Sequence, residues 1–245
     1  MKRFVDLHLK PHLGSPEQTR KLISKARELG YSLVGVSLPP EVKKDTLLSL
    51  QEVCREYSVD FATRIDLTPK SPNELLKSLK WFRRRFEIVS VDCLSKAVAR
   101  QAAKDRRVDL LAFPSSDPRE RFFDRAETRV ASQGVAALEI DTSLILTTSG
   151  FSRARLLYFL RREAATAKKA GFPVVISSHA VEPSQMRGPH DSASLAVLFG
   201  MDNESAMNAL STTPWGIVER NRKKLDAGYV AGGVHVVRRG KDCDN

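Results

Sequence analysis

The chain has 245 residues, 42% of them hydrophobic, and its 40 Lys and Arg outnumber 29 Asp and Glu for a net charge of +11. That length suits one α/β domain with a sizeable core, which excludes wholesale disorder, and no apolar run approaches the ~18 residues of a membrane span. The charge favours a polyanionic partner, because each cation set beside a phosphate releases condensed counterions; a basic surface kept for solubility is the plainer alternative.

Met-Lys-Arg-Phe leads straight into a strand over 3–7 rather than into a signal peptide, so the expected location is cytoplasmic. Within FVDLHLKPHL, residues 4–13, Asp6 and His8 alternate and should point the same way. SPEQTRKLISKARELG then reads as a helix with Ser15 as N-cap, Pro16 at the first position and Gly30 as stop. Further strands are expected at 33–38 (LVGVSL), 59–65 (VDFATRI), 87–92 (EIVSVD), 108–112 (VDLLA), 135–140 (VAALEI) and 173–178 (PVVISS). Each is short and mostly apolar, as a strand covered on both faces should be.

SPNELLKSLKWFRRRF, 71–86, predicts a helix with Ser71 and Glu74 spaced as a capping box. Its Leu75, Leu79, Phe82 and Phe86 should face the core, while Lys77, Lys80 and Arg84 share another face. Trp81 stands among these cations and could stack on a base or pack on a neighbouring helix. SRARLLYFLRREAATAKKAG, 152–171, is the longest helical stretch, ended by Gly171 and Pro173. After residue 190, DSASLAVLFGM, NESAMNALS and PWGIVERNRKKL read as three consecutive short helices. The segment 226–245 is expected to be a polar, basic and poorly ordered tail beyond a single domain of residues 1–225.

Strands alternating with helices call for a parallel sheet with right-handed crossovers. Seven such units predict a distorted TIM-like (β/α) barrel with extra C-terminal helices, whose functional loops gather at the C-terminal strand ends. An open doubly wound sheet is the alternative, but no GxGxxG follows the first strand, so a dinucleotide site is poorly supported.

In a barrel the strand ends carry the chemistry. They bear Asp6 and His8, Ser37, Arg64 and Asp66, Asp92, Pro114 with Ser115 and Ser116, Glu139 and Asp141, then Ser177, Ser178 and His179. A hydrolase holding two or three metals needs many His and carboxylate ligands converging there. Only five histidines exist, and His12, His190 and His235 fall in loops or the tail. Lys10 cannot ligate a metal while protonated. Asp6, His8 and His179 therefore read either as one weak metal site or as a hydrogen-bonded polar cluster filling the barrel mouth. The serine pairs lie in no GxSxG elbow. Cys54, Cys93 and Cys243 form no CxxC pair and no framework.

Cations concentrate in expected loops: Lys43 and Lys44 after the second strand, Arg64 ending the third, Arg106 and Arg107 before the fifth, and Arg187 after the seventh. Arg220, Arg222, Lys223 and Lys224 crowd the last helix. Arginine grips phosphate with a planar fork, so loop arginines suit RNA; a solvated surface charge is the competing explanation for each.

The stretch VVISSHAVEPSQMRGPHDSASLAVLFGMDNESAMNALSTTPWGIVERN, 174–221, carries a resemblance. Its ISSxA-like strand is followed by a loop with Arg187, Pro189 and Asp191. A Leu-Phe-Gly-Met helix end and a stretch from Pro214 to Arg220 and Asn221 complete the order. FVDLHL, ELGY with LVGVSLP, TRIDL, RVDLLAFPSS and ALEIDTSLIL precede it in sequence. This set, over about residues 3 to 224, resembles the protein component 3 family of archaeal ribonuclease P, counterpart of the thirty-kilodalton subunit of the nuclear enzyme. That family looks like a relative of the polymerase-and-histidinol-phosphatase metal hydrolase barrels, whose first motif is Asp-x-His-x-His. Lys10 stands here in place of the last histidine, and His179 where family members often carry a small residue.

The resemblance implies a subunit of the ribonucleoprotein that removes the 5′ leader from precursor tRNA. Catalysis would lie in the RNA, with no catalytic residue and no cofactor in this chain. Implied partners are ribonuclease P RNA, precursor tRNA, the component 2 subunit and other ribonuclease P proteins, with no membrane. Lys43, Arg64, Arg107 and Arg187 are the expected RNA contacts. Asp6, His8, Glu139 and His179 are expected as the vestige of a metal cluster.

Overall fold

Seven short strands, each too apolar to leave a face in water, form one parallel sheet in the order in which they occur along the chain. A computed structural model describes residues 3–115, 117, 121–124, 134–231 and 234–236. The repeating units are β1 (Phe4–Leu9), α1 (Pro16–Glu28), β2 (Tyr31–Ser37), α2 (Lys44–Glu56), β3 (Asp60–Leu67), α3 (Pro72–Phe82), β4 (Ile88–Asp92) and α4 (Lys96–Lys104). They continue through β5 (Leu110–Ala112), β6 (Ala137–Asp141), α5 (Thr142–Thr147), α6 (Gly150–Ala170) and β7 (Val174–Ser177). Three further helices follow, α7 (Pro189–Leu198), α8 (Asn203–Ala209) and α9 (Thr212–Leu225). The expected (β/α) barrel with extra C-terminal helices is the observed architecture.

Local chemistry sets the helix starts. Ser15, Ser71 and Ser95 each accept a hydrogen bond from the backbone N–H three residues on, and Pro16 and Pro72 occupy the first helical position. Gly171 ends α6 at φ 63°, a left-handed position that suits glycine. α3 stops at Phe82, four residues earlier than the sequence pattern predicts. The cause is Arg83, whose guanidinium donates to the carbonyls of Phe86, Glu87 and Arg107, pinning a turn where the helix would have continued. Phe86 is still buried, whereas Phe82 is only half-buried. Glu74 bonds the N–H of Lys70 instead of closing the expected box on Ser71.

Among the described residues the barrel sheet has seven strands, and β1 meets the end of β7 without another strand between them. At the C-terminal end of the strands, Leu9 bridges Ala180 in parallel and Lys10 N donates to Ala180 O at 2.9 Å. At the other end the gap between β1 and β7 is filled by the C-terminal helices, with Val5 N donating to Leu210 O at 2.9 Å. Every strand contributes to an apolar lower lumen (Val5, Leu33, Ala62, Ile88, Leu110, Ala137, Val175), and Ile217 and Val218 of α9 pack into it from below. The outer strand faces pack under the surrounding helices as a second, larger core.

Residues 226–231 and 234–236 depart from the expected poorly ordered tail. Tyr229–Ala231 (β8) and Val234–His235 (β9) pair antiparallel beside α9. Cys243 and the cations Arg238, Arg239 and Lys241 lie outside the described residues.

Candidate functional site at the barrel mouth

Strand alternation decides what enters the lumen. Above the apolar layer, the inward positions are Gly35, Arg64, Ser90, Ala112, Glu139 and Ser177. One step higher come Ser37, Asp66, Asp92 and Asp141, in the register of the paired strands. β1 breaks the alternation. Between Asp6 and Leu9 it spends three residues where β2 spends two, from Val34 to Val36. Such a bulge changes which side chains face inward. Leu7 packs in the lower lumen while the neighbouring His8 also reaches the polar mouth. Gly35 accommodates this distortion: a Cβ there would lie 2.9 Å from both the C and Cα of Leu7 and closer still to its carbonyl oxygen.

The turned-in Leu7 carbonyl accepts from Arg64 Nη1 at 2.9 Å. Arg64 has no solvent exposure. Its two terminal nitrogens meet both oxygens of Glu139 at 2.5 and 2.6 Å, and its Nε meets Asp66 Oδ1 at 2.8 Å. Burial presses the pKa of this guanidinium down, but Asp66 and then Glu139 outweigh it and hold the charge more firmly than usual. The sequence places Arg64 among the RNA contacts; its position in the structure corrects that expectation, since the side chain is fully buried and all three guanidinium nitrogens donate inside the barrel.

His8 is sandwiched. Its Nδ1 lies 3.1 Å from Asp141 Oδ1, its Nε2 lies 3.5 Å from Asp66 Oδ2, and its ring stacks on His179 at 4.1 Å between centroids and 9° between planes. Burial and the Arg64 charge press its pKa down, but Asp141 and Asp66 prevail and raise it to about 10. His8 is therefore an imidazolium at neutral pH. Asp66 is held well below the usual carboxylate range, where Arg64 and then His8 overcome its burial, and Asp141 is lowered chiefly by His8 against the same burial. Ser37 donates to Asp66, and Ser177 donates to Glu139 at 2.7 Å. Asp6 stands apart from these carboxylates, accepting from the backbone N–H of Ser178 and of His8 at 3.0 and 3.1 Å. Burial raises its pKa.

His8, Asp141 and His179 bring ligand-type atoms within 4.8 Å of one another. An imidazole binds a metal near its own ring plane at about 2.0–2.1 Å. Stacked, nearly parallel rings direct their nitrogens into separate planes, so as oriented His8 and His179 do not share an ion. A protonated His8 repels a cation, and both oxygens of Glu139 are occupied by Arg64. The donor set does not fit a shared metal. It is a self-neutralising network in which Arg64 occupies the centre of the lumen.

The other sequence-selected cations are scattered. Lys43 is exposed just before α2, on the C-terminal side of the strands. Arg107 lies at the opposite end, before β5, with its guanidinium forked onto both oxygens of Asp105. Arg187 donates to the carbonyls of Ser184 and Met186, while its own carbonyl accepts from Tyr31. Arg220 and Arg222 of the last helix are internal ties beneath the barrel, to Asp109 at 2.7 Å and to Asp60 at 2.6 Å. No local signal distinguishes these two from solvated charges in the sequence; their partners are remote in the chain.

The RNase P subunit p30 family model matches residues 3–226. Ribonuclease P protein component 3 of Methanothermobacter thermautotrophicus is 28% identical over 221 residues, 89% of each chain. The protein of the same name from Methanosarcina mazei is 30% identical, covering 89% of this chain and 88% of its own. Among solved structures, a chain from the cryo-EM structure of archaeal ribonuclease P with mature tRNA shares the fold at a TM-score of 0.84 and 23% identity, covering 97% of this chain and 99% of that one.

Proposed function

The chain belongs to the RNase P subunit p30 family, and from that membership we infer that it is a protein subunit of ribonuclease P, the ribonucleoprotein that cleaves the 5′ leader from precursor tRNA. The observation that supports a non-catalytic role within it is the barrel mouth. A hydrolytic centre needs a nucleophile or an open metal position. Here the carboxylates that could supply either face Arg64 and His8, and Glu139 has no free oxygen. The cleavage chemistry is assigned to the RNA component, and this chain contributes binding and charge.

Physically, a protein of net charge +11 held against RNA replaces counterions that crowded phosphates would otherwise require. It acts on ribonuclease P RNA and precursor tRNA, together with the component 2 subunit and the other ribonuclease P proteins, and works in the cytoplasm. Among the described residues no helix is long and apolar enough to cross a membrane. Lys43, Arg107 and Arg187 remain proposed phosphate contacts, each supported by its position in a loop or at a helix start.

The test is cleavage of precursor tRNA by the cognate RNA plus component 2, with and without this chain, at limiting magnesium. Cleavage should rise when the chain is added and persist with His8→Ala. Turnover of a phosphomonoester by the isolated chain, abolished by His8→Ala, would overturn the non-catalytic reading.

A further inference from the structure

Charge on this molecule is unevenly distributed. Residues 70–107 hold eleven Lys and Arg against four acids, a net +7 of the chain's +11. This segment forms α3, β4 and α4, with the two helices side by side on the outside of the barrel. Arg83 ties their C-terminal ends together through Arg107 O at 3.2 Å and through Asp109. Lys77 and Lys80 on α3, Arg84 in the turn after it, and Lys96, Arg100, Lys104 and Arg106 on or beside α4 are all exposed.

The four acids do not neutralise that face. Glu74 is folded back onto Lys70 N, Glu87 is held by Arg222, Asp92 bonds Thr68 at the barrel mouth, and Asp105 is gripped by Arg107. Among the described residues none of Lys77, Lys80, Arg84 and Lys104 forms a salt bridge; Lys104 feels Asp105 only at longer range, and that carboxylate is already forked by Arg107. The contrast with α6 is instructive. It carries six cations and one acid over 150–170, but Arg153 and Arg161 cap carbonyls, Lys168 pairs Asp202, and Arg162 lies over Phe159. The α6 cations are largely absorbed by the fold; on the α3–α4 face Arg83, Arg85 and Arg107 are tied in the same way, whereas Lys77, Lys80, Arg84 and Lys104 are presented outward.

Trp81 completes the face. It is 72% exposed, one helical turn after Lys77 and just before the turn that carries Arg84, and it packs into neither core cluster. A large aromatic left in water beside unneutralised cations is the combination that single-stranded or looped nucleic acid engages, by phosphate binding and by stacking of an unpaired base. We propose that the α3–α4 face, with Trp81 between Lys77, Lys80, Arg84 and Lys104, is the RNA-docking surface of this subunit, taking phosphates on its cations and an extruded base on the indole.

The proposal rests on the subunit reading, and the experiment separates the two. Binding of the cognate ribonuclease P RNA transcript is followed across salt for the intact chain, for Lys77→Ala/Lys80→Ala/Arg84→Ala/Lys104→Ala, for Trp81→Ala and Trp81→Phe. A control removes the same charge from α1 (Arg20, Lys21, Lys25 and Arg27). Removing one cation that neutralises a phosphate should lower the log–log salt slope by about 0.7–1. The quadruple variant should lose about 3–4 of slope and at least tenfold in affinity, beyond the α1 control. Trp81→Ala should weaken binding about fivefold or more with the slope unchanged, and Trp81→Phe should retain most of it. An unchanged slope in the quadruple variant, or an equal loss in the α1 control, overturns the proposal. So does loss of component 2 binding with RNA affinity intact, which would make the face a protein dock. If the wild-type chain does not raise precursor cleavage at all, the subunit reading itself fails.

Discussion

At the scale of single residues, the mouth of the barrel shows how a guanidinium can take over a position that chemistry would otherwise use. Arg64 satisfies Glu139 bidentately and shares Asp66 and the Leu7 carbonyl. Removing one partner of such a buried pair leaves the other charge stranded, at a cost of about 3–5 kcal/mol. Arg64→Ala should therefore lower unfolding stability by about that amount, read from the urea midpoint, while the salt slope of RNA binding by the folded fraction stays unchanged. A lowered slope with native stability would instead make Arg64 a phosphate contact. The sequence places Arg64 and Asp66 at a strand end but not on a face, because both faces of a barrel strand are covered and either could receive a polar side chain. The pairing of Arg64 with Glu139, 75 residues later, is a consequence of closure. Nothing local announces it.

At the scale of elements, all seven strands and the three terminal helices are legible, since apolar run length and serine caps are local signals. What is not legible is the work of α9. Its cations suggest a solvated helix, yet Ile217 and Val218 seal the lumen and Arg220 and Arg222 bind Asp109 and Asp60 beneath it. The β1 bulge is hidden for the same reason: only the bare Cα of Gly35 on the adjacent strand betrays it. The plug makes a division of the C-terminal region testable. A chain ending after Leu225 should fold, losing at most about 1 kcal/mol, because β8 and β9 expose Val230 and Val234 rather than burying them. Truncation after Ala209 opens the apolar lumen to water and should leave no cooperative unfolding transition. Equal thermal stability of the two truncated chains would show that α9 is dispensable and that the barrel is sealed otherwise.

At the scale of the whole molecule, the mouth network couples stability to pH from both sides. Asp66 and Asp141 have folded pKa values below their unfolded ones, so their contribution is present above about pH 4 and is lost as pH falls through that range into the folded values. His8 has the opposite sign. Its folded pKa near 10 exceeds the unfolded 6.5, so its contribution is complete below pH 6.5 and is lost as pH rises through 10. The network is thus strongest between about pH 4 and 6.5, whereas the net positive charge of the chain, already +11 at neutral pH, grows on acidification and works against compactness there. Stability should peak near pH 5.5–6.5 and decline by on the order of a few kcal/mol toward pH 9.5. His8→Asn removes the titrating group while keeping a polar side chain beside Asp141, so it should be less stable than wild type at pH 6 and nearly flat from pH 7 to 9.5. Urea midpoints at half-unit intervals measure both curves. Parallel curves would mean that His8 is neutral in the native barrel, and that Arg64 alone balances the carboxylates around it.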